Sequence, residues 1–146
     1  MHTFRLNVLL DLALKSDEIV ELIEYFDLSV VYDFDRLNEG TADRYWVSAY
    51  EAGFQLGFND KQVLKTVFAY VAPRDGFSPV DPEIVNVPFY PSAAEAQRAI
   101  ASAGVSYTTG GPGHHWIKAQ LPEYATHYEF NAQGDLTLVT IAASDA

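Results

Sequence analysis

No cysteine occurs in the chain, so disulfide cross-links and thiolate metal sites are excluded, and the fold must hold by burial and hydrogen bonding. Cations are the second scarcity. Nine Lys and Arg stand against twenty Asp and Glu, a net charge of −11, which removes the clustered positive surface that a nucleic-acid partner requires. No stretch approaches about 18 uninterrupted apolar residues, so none reads as a membrane span. The opening run MHTFRLNVLLDLALKSDE is broken by Asp11 and reaches Asp17 and Glu18 without a small-residue cleavage site; it is expected to be part of the fold, not a signal peptide. Chemical motifs are also scarce. No G-x-S-x-G elbow occurs, and the glycine cluster in TTGGPGHHW lacks the Lys and Ser/Thr of a phosphate loop, while Pro112 removes an amide donor.

What is present is a core-forming composition and a repeat. The 146 residues are 49% hydrophobic, a size and content suited to one compact unit. AGFQLGFNDKQVLKTVFAYV (52–71) and YATHYEFNAQGDLTLVTIA (124–142) both read as β-hairpins. Setting Phe58 on Phe130 (130 − 58 = 72) also sets Asn59 on Asn131, Leu64 on Leu136 and Val67 on Val139 without a gap. Trp46 and Trp116 are 70 apart, and Ser16 and Ser92 are 76 apart. The expected class is therefore α+β, with two tandem repeats, each a helix followed by an antiparallel sheet of three or four strands, and the sheets joined or packed into one unit. The expected boundaries are 1–72 for the first repeat, 73–91 for a connector and 92–146 for the second.

Local patterns give the elements. Residues 4–14 are too uniformly apolar to fix a period and fit either a strand or a helix. Ser16, as N-cap, with Asp17 and Glu18 in the first turn, starts a helix to about Phe26, its apolar stripe formed by Ile19, Leu22, Ile23 and Phe26. Val30 to Asp35 alternates as a half-buried strand, Asn38-Glu39-Gly40 turns, and Tyr45–Tyr50 and Gly53–Phe58 follow as strands. Val63–Val71 is apolar on both faces, with Leu64, Phe68 and Tyr70 on one side and Val67, Ala69 and Val71 on the other, as expected inside a sheet. Pro73, Pro79, Pro82, Pro88 and Pro91 make 73–91 an extended connector with neither helix nor central strand. Ser92 and Glu95 form a capping box for a helix bearing Ala96, Ala99, Ile100 and Ala103, which Gly104 ends; a strand over Val105–Thr108 follows.

This plan of duplication, Ser-capped helices at Ser16 and Ser92, and hairpins ending in LKTVFAYV and LTLVTIAA resembles the tandem α/β repeat of the β-lactamase inhibitor proteins and of small outer-membrane assembly lipoproteins. The resemblance implies two sheets joined edge to edge, with one sheet face gripping a protein. The chain has no cysteine for lipidation, and the exported roles of those families are not carried over. An acidic chain of this size also resembles the immunity proteins that block bacterial toxins by covering their active surface.

The functional expectation follows from charge and aromatics. Residues 1–51 hold eleven acids and four bases, and Tyr25, Tyr32, Tyr45, Tyr50 and Tyr70 lie near many of these acids. Aromatic area among carboxylates suits a basic protein partner. The contact residues expected are Tyr32, Asp33, Asp35, Glu39, Asp43, Tyr45 and Trp46. The protein is expected to be a non-enzymatic cytoplasmic binding module, an immunity-type inhibitor of a basic toxin or effector, with no catalytic residue, metal or cofactor, and no nucleic-acid or membrane partner. The competing reading is an enzyme or ligand-binding protein with His114, His115, His127 and Glu129 at the mouth of a site between the repeats; His127 and Glu129 would share one strand face. Asp33 and Asp35 would likewise share a face.

Overall fold

A computed structural model describes residues 4–34, 37–110 and 115–144. A 3₁₀ turn over Leu6–Leu9 is followed by α1 (Asp17–Phe26), β1 (Val30–Asp33), β2 (Arg44–Ala49), β3 (Phe54–Phe58) and β4 (Leu64–Tyr70). Then come α2 (Pro82–Val85), α3 (Ala93–Ser102), β5 (Ser106–Thr109), β6 (Trp116–Gln120), β7 (Tyr124–Phe130) and β8 (Leu136–Ala143). The eight strands form one antiparallel sheet in the order β1-β2-β3-β4-β8-β7-β6-β5. The class is α+β, and the last strand of each meander pairs with the other across the middle of the sheet.

The helices start where the caps predict, with one difference. In α3 the Glu95 N–H donates to Ser92 Oγ at 3.2 Å, and Gly104 beyond the helix takes φ +72°. Ser16 occupies the N-cap position of α1, yet its hydroxyl makes no capping bond and is buried without a hydrogen-bond partner. Ile19 and Leu22 of α1 are fully buried, with Ile23 and Phe26 packed against the same core; in α3 Ala96 and Ile100 are buried while Ala99 and Ala103 face solvent. Residues 4–14 resolve the helix-or-strand ambiguity as neither throughout, forming the short 3₁₀ turn and then a single bridge between Ala13 and Val63.

Two expectations about strands and one about the connector are corrected. All four residues of β1 are exposed: as the edge strand, β1 has a neighbour on one side only, so its alternation marks no buried face. Leu64 faces the same way as Val67 and Ala69, not with Phe68, because the β3–β4 register shifts at Gly57/Phe58 and a bulge there reverses the parity of the strand. The connector contains a helix, α2, a single turn that begins at Pro82, where Pro fits best, and is capped by Asp81 Oδ1 accepting from the Glu83 N–H at 3.0 Å.

One face of the sheet holds the core. Val47, Phe54, Leu56, Phe58, Leu64, Val67 and Ala69 from the first four strands join Ile117, Ala119, Tyr128, Val139 and Ile141 from the last four, with Leu6, Leu9, Ile19, Leu22, Val85, Ala96 and Ile100 above them, in one apolar cluster. The opposite face carries Trp46, Ser48, Gln55, Thr66, Phe68, Thr140, His127, Trp116 and Lys118, all half-buried or exposed. Among the described residues, one end of that face is covered. Phe77 stacks on Tyr70 with centroids 4.2 Å apart and is buried with Leu138.

The two β-hairpin turns are built alike. Asn59 Oδ1 accepts from the Lys61 and Val63 N–H groups, and Asn131 Oδ1 accepts from those of Gln133 and Asp135. Gly134 takes φ +87° at the position where the first turn holds Gln62 at φ +62°. The register shift at Gly57/Phe58 also recurs 72 residues on, at Glu129/Phe130.

Chain crossing at the end of the sheet depends on Gly53. Its φ is +83°, and a Cβ there would lie 2.2 Å from the Ser78 carbonyl oxygen and 2.6 Å from the Val80 nitrogen, both backbone atoms that cannot swing away. Gly40 has a similar φ of +80°, but a Cβ there would meet no described atom within 4 Å. Gly53→Ala is expected to cost about 3 kcal/mol or more and Gly40→Ala about 1 kcal/mol, since only the first adds a backbone clash to left-handed strain. Urea denaturation of the two variants measures the difference; equal losses would show that the crossing is loosely packed.

Candidate protein-binding surface

The surface begins where α1 ends. Asp27 takes a left-handed conformation that closes the helix, its N–H donating to the Glu24 and Ile23 carbonyls, and the chain turns into β1. β1 then lies at the sheet margin, with Val30, Val31, Tyr32 and Phe34 between 42% and 59% exposed and Leu37, beyond it, at 76%. Burying such side chains elsewhere in the sheet is the rule; leaving five together in water is not.

The expected contact residues divide between the two sheet faces. On the helix side, Tyr32 stacks on Tyr45 with centroids 4.9 Å apart and planes 20° from parallel, and Phe34 tilts against Tyr32 at 5.6 Å. The Tyr32 hydroxyl donates to Asp43 Oδ2 at 2.5 Å. That bond to a carboxylate, then desolvation, then the charge of Asp43 and the neighbouring Tyr45, push the phenol up to about 12. On the other side of the strand pair, Asp33 stands opposite Arg44, and Trp46 lies over Gly57, close enough that a Cβ on Gly57 would sit 2.9 Å from the indole. Glu39 is exposed in the loop between β1 and β2. Asp35 lies outside the described residues. Tyr32, Asp43 and Tyr45 thus form one cluster, Asp33 and Trp46 belong to the far face, and β1 joins them at the rim.

Sequence reading missed Val30, Val31, Phe34 and Leu37, because it took the alternation in VVYDFD as a sign of one buried side. The available signal was position: a strand that opens a meander and is followed by a turn has one neighbour, and its apolar residues have only one flank to cover them.

The residues of the competing reading sit at the opposite end of the open face. His127 stacks on Trp116, centroids 5.2 Å apart, and shares its face with Glu129 as expected. His115 contributes its carbonyl, which accepts from the Phe130 N–H at 2.8 Å; His114 lies outside the described residues. Among the described residues no group of three or more His, Asp or Glu side chains is placed to hold a metal. Open hollows lie elsewhere, two of them on the first half of the chain. One of about 280 Å³ is bounded by Arg44, Trp46, Lys65 and Thr66, and one of about 500 Å³ lies between the end of α1 and the β2–β3 turn, lined by Phe26, Asp27, Tyr50 and Glu51. Among the described residues no helix is long and apolar enough to cross a membrane.

No protein-family model matches the chain, and no match to a curated protein or a solved structure is found.

Two titrations report on these surfaces. Replacing Asp43 with Asn is expected to return the Tyr32 phenol toward its ordinary 10.0, read as phenolate absorbance on alkaline titration; an unmoved transition would sink the assigned role of the Tyr32–Asp43 bond. For His127, burial lowers the pKa below 6.5, while Glu129 raises it and Lys118 lowers it further. The folded state therefore prefers the neutral ring, and the unfolded chain binds the extra proton. Stability should be complete above 6.5 and decline as pH falls from 6.5 through the folded value. His127→Gln should flatten that decline in urea midpoints taken between about pH 5 and 7.

Proposed function

We propose that this protein is a non-enzymatic binding module of the immunity type, which acts in the cytoplasm and neutralises a basic toxin or effector domain by covering its active surface. The observation that carries the reading is β1 and the residues just after it: five apolar side chains, Val30, Val31, Tyr32, Phe34 and Leu37, stand in water at the margin of a well-packed sheet, in an acidic stretch of the sequence. Residues 27–44 contain five acids, Asp27, Asp33, Asp35, Glu39 and Asp43, against two bases, Arg36 and Arg44. Exposed apolar and aromatic area supplies contact energy, and a negative rim speeds and selects the encounter with a positive partner. Nucleic acid has the wrong charge for this surface.

The proposed architecture is a duplicated helix-plus-meander. Three observations support it: the 72-residue spacing of the sequence repeat, the equal spacing of the turns and bulges, and the register at the centre of the sheet. Paired residues of β4 and β8 sum to 208 (68 + 140), so the residue that faces its own equivalent 72 positions on is Phe68, and it pairs with Thr140. A twofold relation between the halves passes through that pair. Each meander also sets one tryptophan on the open face, Trp46 opposite Gly57 and Trp116 opposite Glu129.

The test is capture of partners by the tagged protein from cells that make it, followed by an activity assay of the captured protein. A stoichiometric basic partner, silenced in the complex, is the expected result. Reversing Asp33 and Glu39 to Lys should slow association by about tenfold or more at low salt, with the effect fading as salt rises. Unchanged association would remove the acidic rim from the contact surface, and bound metal with turnover in its absence would favour an enzyme instead.

A further inference from the structure

Resting on that reading, we infer that the outer edge of β1 receives an extended, basic segment of the partner as an added strand of the sheet.

The parity of the ladder fixes which backbone groups are on offer. The Tyr70 N–H donates to the Gly53 carbonyl at 2.9 Å, and Phe54 pairs with Ala69, so odd-numbered residues of β3 bond toward β4 and even-numbered ones toward β2. The Val47–Leu56 pair carries that alternation across β2, and the Val31–Trp46 and Asp33–Arg44 pairs carry it to β1. Val31 and Asp33 thereby bond inward, while Val30 and Tyr32 turn their N–H and C=O groups to the outside. An incoming strand would bond to these two residues, and its side chains would alternate between the Tyr32–Tyr45 stack on one face and Val31 and Asp33 on the other.

The other margin of the sheet is different. β5, by the same alternation, turns Tyr107 and Thr109 outward, but its residues are Ser106, Tyr107, Thr108 and Thr109, and α3 packs against it. A polar edge beside a helix is the protected form, whereas β1 presents exposed Val30 and Tyr32 on one face and exposed Val31 on the other. Charge selects the occupant. Five acids between Asp27 and Asp43 favour a strand bearing Arg and Lys, and they oppose a second copy of a chain whose net charge is −11. Strand addition supplies affinity through the main chain and selectivity through alternate side chains, so the acids of this rim and the rings beside them have a use in one binding mode.

The test uses the full-length protein and a short synthetic peptide in which Arg and Lys alternate with Val and Thr, followed by calorimetry and amide hydrogen exchange. Binding is expected to slow exchange at Val30 and Tyr32. N-methylation of alternate peptide amides, which keeps the charge, should weaken binding by about tenfold on one edge and little on the other. Val30→Pro removes an outward donor and should weaken binding by about fivefold with the urea midpoint held, whereas Val31→Pro removes an inward one and should lower the midpoint. If the peptide bound in a charge-dependent way while Val30 and Tyr32 stayed unprotected and Val30→Pro had no effect, strand addition would be overturned and the binding-module reading would stand. A peptide that adds to β1 when no basic partner is captured from cells supports strand addition and removes the toxin-neutralising reading. Absence of any binding overturns strand addition, and self-association of the protein alone with the same two amides protected assigns the edge to a second copy instead.

Discussion

Take away the ladder between β4 and β8 and two four-stranded meanders remain, each with a raw edge through the middle of its apolar surface. Val67 faces Ile141 and Ala69 faces Val139 across that ladder, and all four are buried. A meander alone has too few elements to cover such a strand on both flanks, and small sheets are marginal for this reason. Pairing the two last strands closes the most apolar edges against each other and leaves the first strand of each meander, β1 and β5, at the margins. The central pairing thus determines where the exposed edges lie.

The margins then diverge although the scaffolds match. Turns, bulges and tryptophans are placed equivalently in the two meanders, yet one margin reads Ser-Tyr-Thr-Thr and the other Val-Val-Tyr-Asp. Scaffold positions are constrained by burial and by backbone bonds that tolerate few substitutions, such as the Asn59 and Asn131 side chains that each bond two amides. The margins carry no such constraint. On the inferred duplication, an apolar margin in one half and a polar one in the other is compatible with specialisation of one copy for a partner.

Much of this was legible in the sequence, and what was not has physical causes. The hairpins, the helix α1 and the capping of α3 rest on local chemistry: period-two alternation, Asx turns and a Ser hydroxyl within reach of an amide. The sheet interior was legible in the two-faced apolarity of 64–70. Reading failed where a property is set from a distance. The exposure of β1 depends on having one neighbour, and the facing of Leu64 on a bulge; the division of Tyr45 and Trp46 between faces, by contrast, follows from period-two alternation and was available locally. Ser16 shows the limit even of local signals: the right residue in the right place makes no capping bond, and its hydroxyl is buried and unpaired.

An exposed apolar edge is a hazard in any soluble sheet protein, since identical copies can pair through it. On the proposed reading the acids of the first half act against that hazard and for the partner at once. Two copies approaching edge to edge would each bring an excess of acids, five against two bases over residues 27–44, and would repel, most strongly at low salt. A cationic strand approaching the same edge meets attraction of the same origin. The edge stays short as well, four residues, so the hydrogen bonds it offers are too few to hold a neutral strand unaided. Charge must then complete the interaction, and the selectivity of the edge becomes the selectivity of its acidic rim.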